Sequence, residues 1–171
     1  IEATVWYRRG LLLRSRRASF PTSARADIVI LIDTTGSMDR SLAELQEKCV
    51  RFSQRLTEQS LEHRFALIGF GDRSEGRWIE VTDFTADAEQ FRRAVQGIER
   101  FDGGDLPESA LGALRRAMEL PLAEGAIRRF YLVTDAPYHE PGAGGITAAE
   151  IAAQLEAGDV LLHVFSRRAF E

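Results

Sequence analysis

The run Ile28-Val29-Ile30-Leu31-Ile32 leaves this chain little choice of architecture. Five apolar residues with no polar alternation make a strand covered on both faces, and such strands belong inside parallel sheets whose crossover helices pack above and below. The run ends in the polar turn Asp33-Thr34-Thr35-Gly36-Ser37-Met38. In open α/β sheets the carboxyl end of a central strand and the start of the next helix frame a crevice where ligands bind.

The segments that follow supply the layers. From Ser37 to about Ser60, Leu42, Leu45, Cys49, Phe52 and Leu56 recur at helical spacing, which predicts an amphipathic helix with Cys49 as a core thiol. Residues 64–72 read as a second, nearly continuous apolar strand, 77–84 as an alternating edge strand, and 87–98 as a helix burying Phe91, Val95 and Ile98. After a loop from Arg100 to Ser109, a helix opens near Pro107 with Leu111, Leu114 and Met118 on its core stripe. Strand 128–134 runs into Asp135, a glycine-rich loop at 139–145 leads to a helix capped by Thr147, and 159–165 is the last strand.

Strands alternating with helices predict an α/β fold: a doubly wound, mostly parallel sheet flanked by helices, with one antiparallel edge strand. A length of 171 residues with 44% hydrophobic content suits one core. One domain is therefore expected over 26–171, preceded by an arm at 1–25 made of a hairpin around Arg8-Arg9-Gly10 and a Ser/Arg/Pro-rich linker.

Composition excludes several functions. The net charge of −4, with both signs interspersed, carries no nucleic-acid footprint. No apolar run approaches the ~20 residues that span a bilayer. Cys49 is the one cysteine, so no internal disulfide forms. Lys48 is the one lysine among many arginines; that bias and the lack of a signal peptide point to a bacterial, cytoplasmic setting.

The acids are informative by position. Asp33, Thr35 and Ser37 alternate, so a turning loop can aim one carboxylate and two hydroxyls at one point. Capping of the next helix by Asp33 or Ser37 explains that cluster equally well on its own. The topology, however, brings Asp135 and the loop Gly103-Gly104-Asp105-Leu106-Pro107-Glu108 to the same sheet edge. Carboxylates gathered from three segments repel one another unless a cation compensates, and oxygen donors suit Mg²⁺, Mn²⁺ or Ca²⁺.

This constellation resembles the von Willebrand factor A domain. Asp33-Thr34-Thr35-Gly36-Ser37-Met38 matches that family's Asp-x-Ser/Thr-x-Ser signature, the metal-ion-dependent adhesion site, and Thr134-Asp135 matches its later aspartate. The resemblance runs over about residues 26–166. Many members supply a threonine from the middle loop, and this loop has none. Gly103-Gly104-Asp105-Leu106-Pro107-Glu108 instead looks like a bacterial subgroup, and its Asp-x-Pro-Glu is similar to an integrin β loop whose glutamate reaches the metal. By that resemblance Glu108 is the third ligand segment's donor, with Asp105 its competitor. Asp39-Arg40-Ser41 departs from the paired acids of integrin β, so a second, adjacent calcium site is not implied. Family members usually continue past the fifth sheet strand to another strand and a terminal helix, so the chain reads as a domain truncated at its carboxyl end.

The resemblance implies binding rather than catalysis: a divalent cation, Mg²⁺ first, held by protein oxygens and bridging to an acidic group of a protein partner. Charge balance predicts Asp33 as the closest ligand, with Asp135 or Glu108 acting through water. Two other classes compete. A strand-end aspartate followed by hydroxyls also suits an Mg²⁺-dependent phosphoryl-transfer enzyme with Asp33 as nucleophile, although Lys48 lies about three turns into the helix. A structural module with a stabilising metal is the other. His139 and Glu140, on the site-side loop, read as ordinary loop residues with a partner contact or second ion as the alternative.

Overall fold

Strand β3 (Ala26–Asp33) is the axis of the molecule, paired in parallel with β4 (His63–Phe70) on one side and β6 (Ile127–Val133) on the other. The computed structural model describes residues 2–9, 12–19, 25–58, 62–72, 76, 78–101 and 107–166. β5 (Ile79–Thr85) lies antiparallel to β4 at one edge, and β7 (Val160–Phe165) parallel to β6 at the other, giving the order β5-β4-β3-β6-β7. This is the doubly wound, mostly parallel sheet with an antiparallel edge strand that the pattern predicts.

β1 (Glu2–Arg9) and β2 (Leu12–Ser19) form a separate two-stranded antiparallel sheet, with Glu2 opposite Ser19 and Arg9 opposite Leu12. Residues 15–19, expected in the linker, belong to β2. A ladder is built from backbone groups, so Ser and Arg do not stop it where a β-favouring partner such as Thr4-Val5-Trp6-Tyr7 is at hand.

The apolar run of β3 divides by parity. Val29 and Leu31 face one core with Ile68, Phe70, Phe130 and Leu132, covered by α3 (Ala110–Met118) and α4 (Ala148–Ala157). Ile28, Ile30 and Ile32 face the other with Phe65, Leu67 and Phe91, covered by α1 (Asp39–Glu58) and α2 (Ala88–Gln96). Phe65 and Phe91 stack at 4.6 Å between centroids. Cys49 lies in this second core, and burial pushes its thiol up to about 12. On the same face, a groove of about 630 Å³ lies between α1 and the β6–β7 edge, walled by Leu45, Cys49 and Phe52 against Tyr131, Val133 and Phe165.

Helix α3 is buried more broadly than its expected stripe: Ala110, Gly112, Ala113 and Ala117 are buried beside Leu111 and Leu114, while Met118 is only partly so. Small side chains let this helix sink toward its neighbours. A Cβ on Gly112 would come within 2.7 Å of the Trp78 ring. α2 and α4 start as predicted, on Asp87 and on Thr147, the latter in a reciprocal capping box with Glu150.

The amino end of β3, opposite the site, is fastened by a fully buried acid. Asp27 accepts from Arg64 Nε at 2.9 Å, Arg64 Nη2 at 2.7 Å and the Ala123 N–H at 2.6 Å. β3 is thereby tied to β4 and to the segment entering β6.

Candidate metal centre

Asp33 is the last residue of β3 and fully buried. Its Oδ1 accepts the Thr35 N–H at 3.1 Å and the Thr35 hydroxyl at 2.7 Å; its Oδ2 accepts the Thr134 hydroxyl at 2.7 Å. The chain then turns through a short 3-10 segment, Gly36–Met38, into α1. Ser37 donates to Asp135 Oδ1 at 2.8 Å, so its hydroxyl proton is directed across the site. Helix capping by itself would not supply this contact between separate chain segments.

Burial is the main cause that raises the Asp33 carboxyl above its ordinary value of 3.8. The hydrogen bonds from Thr134 and Thr35 oppose this, and the charge of Asp135 adds to it. The protein thus keeps an acid where ionisation is costly, and holds it with three donors.

The proton inventory bears on what else fits. Each hydroxyl has one proton. Thr35 donates its proton to Asp33 and Ser37 donates its proton to Asp135, yet the two hydroxyl oxygens face each other at 3.2 Å. Either hydroxyl can be the donor of that contact, so Asp33, Thr35, Ser37 and Asp135 form one hydrogen-bonded chain. Each hydroxyl oxygen keeps a lone pair that a hard cation could use, so the residues present fit such an ion. Among the described residues no three His, Cys, Asp or Glu side chains gather as a metal-holding group.

Glu108 reaches this edge through its backbone. Its N–H donates to Pro137 O at 2.9 Å, its carbonyl accepts the His139 N–H at 3.1 Å, and it forms a parallel bridge with Tyr138. The loop before α3 is thus stitched to the loop that follows Asp135, and the Glu108 side chain is buried. Asp105 lies outside the described residues. The site accordingly joins Asp33, Thr35, Ser37 and Asp135 by direct hydrogen bonds and fastens the Glu108 backbone beside them.

Two participants escaped the sequence reading. Thr134, the end of a strand and the residue before Asp135 in the matched Thr-Asp step, is given no role by the sequence, although a hydroxyl ending the neighbour of β3 is placed to reach Asp33. Asp72 was read as the tail of another strand. It is buried, with Oδ1 3.4 Å from His139 Nε2, and an acid ending a strand adjacent to β3 is the same signal that singled out Asp135. Glu140 accepts the Ala148 N–H at 3.2 Å and so holds the start of α4.

A doubly wound sheet with a carboxylate and hydroxyl cluster at its carboxyl edge defines a Rossmann-like α/β domain. Comparison with known proteins narrows that class. A family model described as von Willebrand factor A domain matches residues 27–154, and the chain belongs to that family. Mouse hemicentin-1 is 32% identical over 125 residues, covering 71% of this chain and 2% of hemicentin-1. The Dictyostelium discoideum alpha-protein kinase vwkA is 27% identical over 120 residues, covering 66% of this chain and 19% of the kinase. The pilus adhesin SpaC from Lactobacillus rhamnosus GG, in its open conformation, superposes with a TM-score of 0.63 at 15% identity, covering 82% of this chain and 24% of the adhesin. The chain therefore spans a small part of each of these proteins. Among the described residues no helix is long and apolar enough to cross a membrane.

Proposed function

We propose that this domain binds a hard divalent cation, Mg²⁺ with Mn²⁺ and Ca²⁺ as alternatives, and uses it to hold an acidic group of a protein partner. The observation that carries the reading is the convergence of the Asp33 and Asp135 carboxylates with the Thr35 and Ser37 hydroxyls in one hydrogen-bonded chain, the two hydroxyl oxygens 3.2 Å apart. Asp33, Thr35 and Ser37 are the first-rank donors. Asp135 and Glu108, or Asp105 in place of Glu108, complete the set, with Asp135 or Glu108 acting through water. One carboxylate and two hydroxyls leave the ion cationic and attractive to an acidic ligand, whereas three directly bound carboxylates would overcompensate it.

The role is binding rather than catalysis, performed as one module of a larger protein. Small coverage of long relatives supports the modular part. A phosphoryl-transfer role lacks its positioned lysine: Lys48 lies exposed on α1 in an ion pair with Glu44 at 2.6 Å.

The test is calorimetric titration of Mg²⁺, Mn²⁺ and Ca²⁺ into chelator-stripped protein, wild type and Asp33→Ala, with a melting curve for each. Saturable binding lost in a folded variant supports the site. No binding by folded wild type overturns it.

A further inference from the structure

The contact between His139 and Asp72 crosses the mouth of the site. β4 and β6 flank β3 on opposite sides, so their ends lie about 10 Å apart. Asp72 stands two residues beyond Phe70, the register partner of Asp33, and His139 lies in the loop after β6. With Nε2 of His139 at 3.4 Å from Oδ1 of Asp72, the pair spans the end of β3. The His139 N–H is bonded to Glu108 O at 3.1 Å, which places this bridge on the side of the site where α3 begins.

The two members are unequally exposed: the Asp72 side chain 1%, the His139 side chain 34%. With the Asp72 carboxylate 3.4 Å from Nε2, a neutral ring that carries its proton on Nε2 presents Nδ1 as a hydrogen-bond acceptor. Beside it Tyr138 is 46% exposed, a large ring standing in solvent at the rim of a polar site. With a cation at the site, that acceptor and the open aromatic ring would form a composite surface. A free carboxylate anion uses only the cation. A peptide carrying an acidic side chain also brings a backbone N–H and an adjacent side chain.

We propose that His139, positioned by Asp72, is a specificity contact of this site: its Nδ1 accepts a backbone N–H of an acidic peptide segment whose carboxylate goes to the cation, with the Tyr138 ring covering the neighbouring residue. This inference rests on the cation reading above. It assigns His139 to partner recognition and makes Asp72 a positioning residue.

The experiment uses Mn²⁺-loaded protein and follows water proton relaxation, which falls as a carboxylate displaces metal-bound water. The probes are acetate and the peptide acetyl-Gly-Asp-Gly-amide. Wild type is expected to prefer the peptide, and His139→Ala to lose about tenfold in peptide affinity while Mn²⁺ and acetate affinities stay within about twofold. Asp72→Asn is expected to reproduce the peptide loss and to remove the Nε2-protonated signature from the imidazole ¹⁵N spectrum, which a purely structural role would leave in place. Equal affinity of wild type for both probes overturns the proposal, as does an unchanged peptide affinity in His139→Ala. Parallel losses of Mn²⁺, acetate and peptide overturn it in favour of a strut for Glu108. Wild type that takes up no Mn²⁺ removes the cation reading itself, a failure seen before either probe is added.

Discussion

Thr134 and Asp33 stand 101 residues apart in the chain and 2.7 Å apart in space, hydroxyl to Oδ2. Two parallel neighbours, β3 and β6, meet at their carboxyl ends through this bond, and the buried carboxylate depends on it. Replacing Thr134 by Val keeps the shape and removes the donor. Urea denaturation of the chelator-treated protein should show a loss of about 1–3 kcal/mol, and Thr134→Ser should recover most of it. Equal stability of the Val variant would show that Asp33 does not rely on this donor.

The pH dependence of the metal-free domain follows from the sign of the Asp33 shift. Burial raises this carboxyl above 3.8. Its contribution to stability is therefore complete below that value and is lost as pH rises through the folded-state pKa. Other carboxyls titrate nearby, so the quantity to measure is the stability of Asp33→Asn minus that of wild type, in chelator. This difference should grow as pH rises from about 4 and then level off. A difference that shrinks with pH contradicts the shift.

Ser37 separates cation binding from folding. It is exposed, and its hydroxyl meets the oxygens of Thr35 and Asp135. Ser37→Ala should leave the denaturation midpoint in chelator within about 0.5 kcal/mol of wild type and weaken Mg²⁺ at least about tenfold by calorimetry. Equal Mg²⁺ affinity in both proteins would remove Ser37 from the donor set.

The opposite end of β3 predicts the converse. Asp27→Ala removes the acceptor of two Arg64 N–H groups and of the Ala123 N–H, while Arg64 keeps Pro121 O and the Phe84 ring, and breaking such a pair costs up to about 3–5 kcal/mol. Any molecules that remain folded should bind Mg²⁺ as wild type does, since Asp27 and Asp33 cap opposite ends of one strand. The measurement is urea denaturation followed by titration under native conditions.

Fold and site were legible to different depths in the sequence. The run from Ile28 to Ile32 announces a strand buried on both faces because every side chain in it is apolar, and parity then distributes them between two cores. Asp33, Thr35 and Ser37 are visible together because they lie within one turn. Thr134 on Asp33, Glu108 beside Tyr138 and Asp72 beside His139 were not, since each pairing joins loops from separate strands and leaves no local period to read. The depth to which α3 sinks was hidden for another reason. Periodicity weights large apolar residues, whereas Ala113, Ala117 and Gly112 are buried by being small.

The single thiol of Cys49 works as a clock for the helix that carries it. α1 starts directly after the Ser37 turn and ends far from it, with the buried, protonated Cys49 midway along. The sulfur also walls the groove beside the β6–β7 edge, so the rate at which a thiol reagent modifies it at neutral pH reports entry along that groove together with movement of the helix. Anything that tightens the turn at the amino end of α1 should slow the clock, and a conformational event at the carboxyl edge of the sheet becomes readable without labelling the site itself.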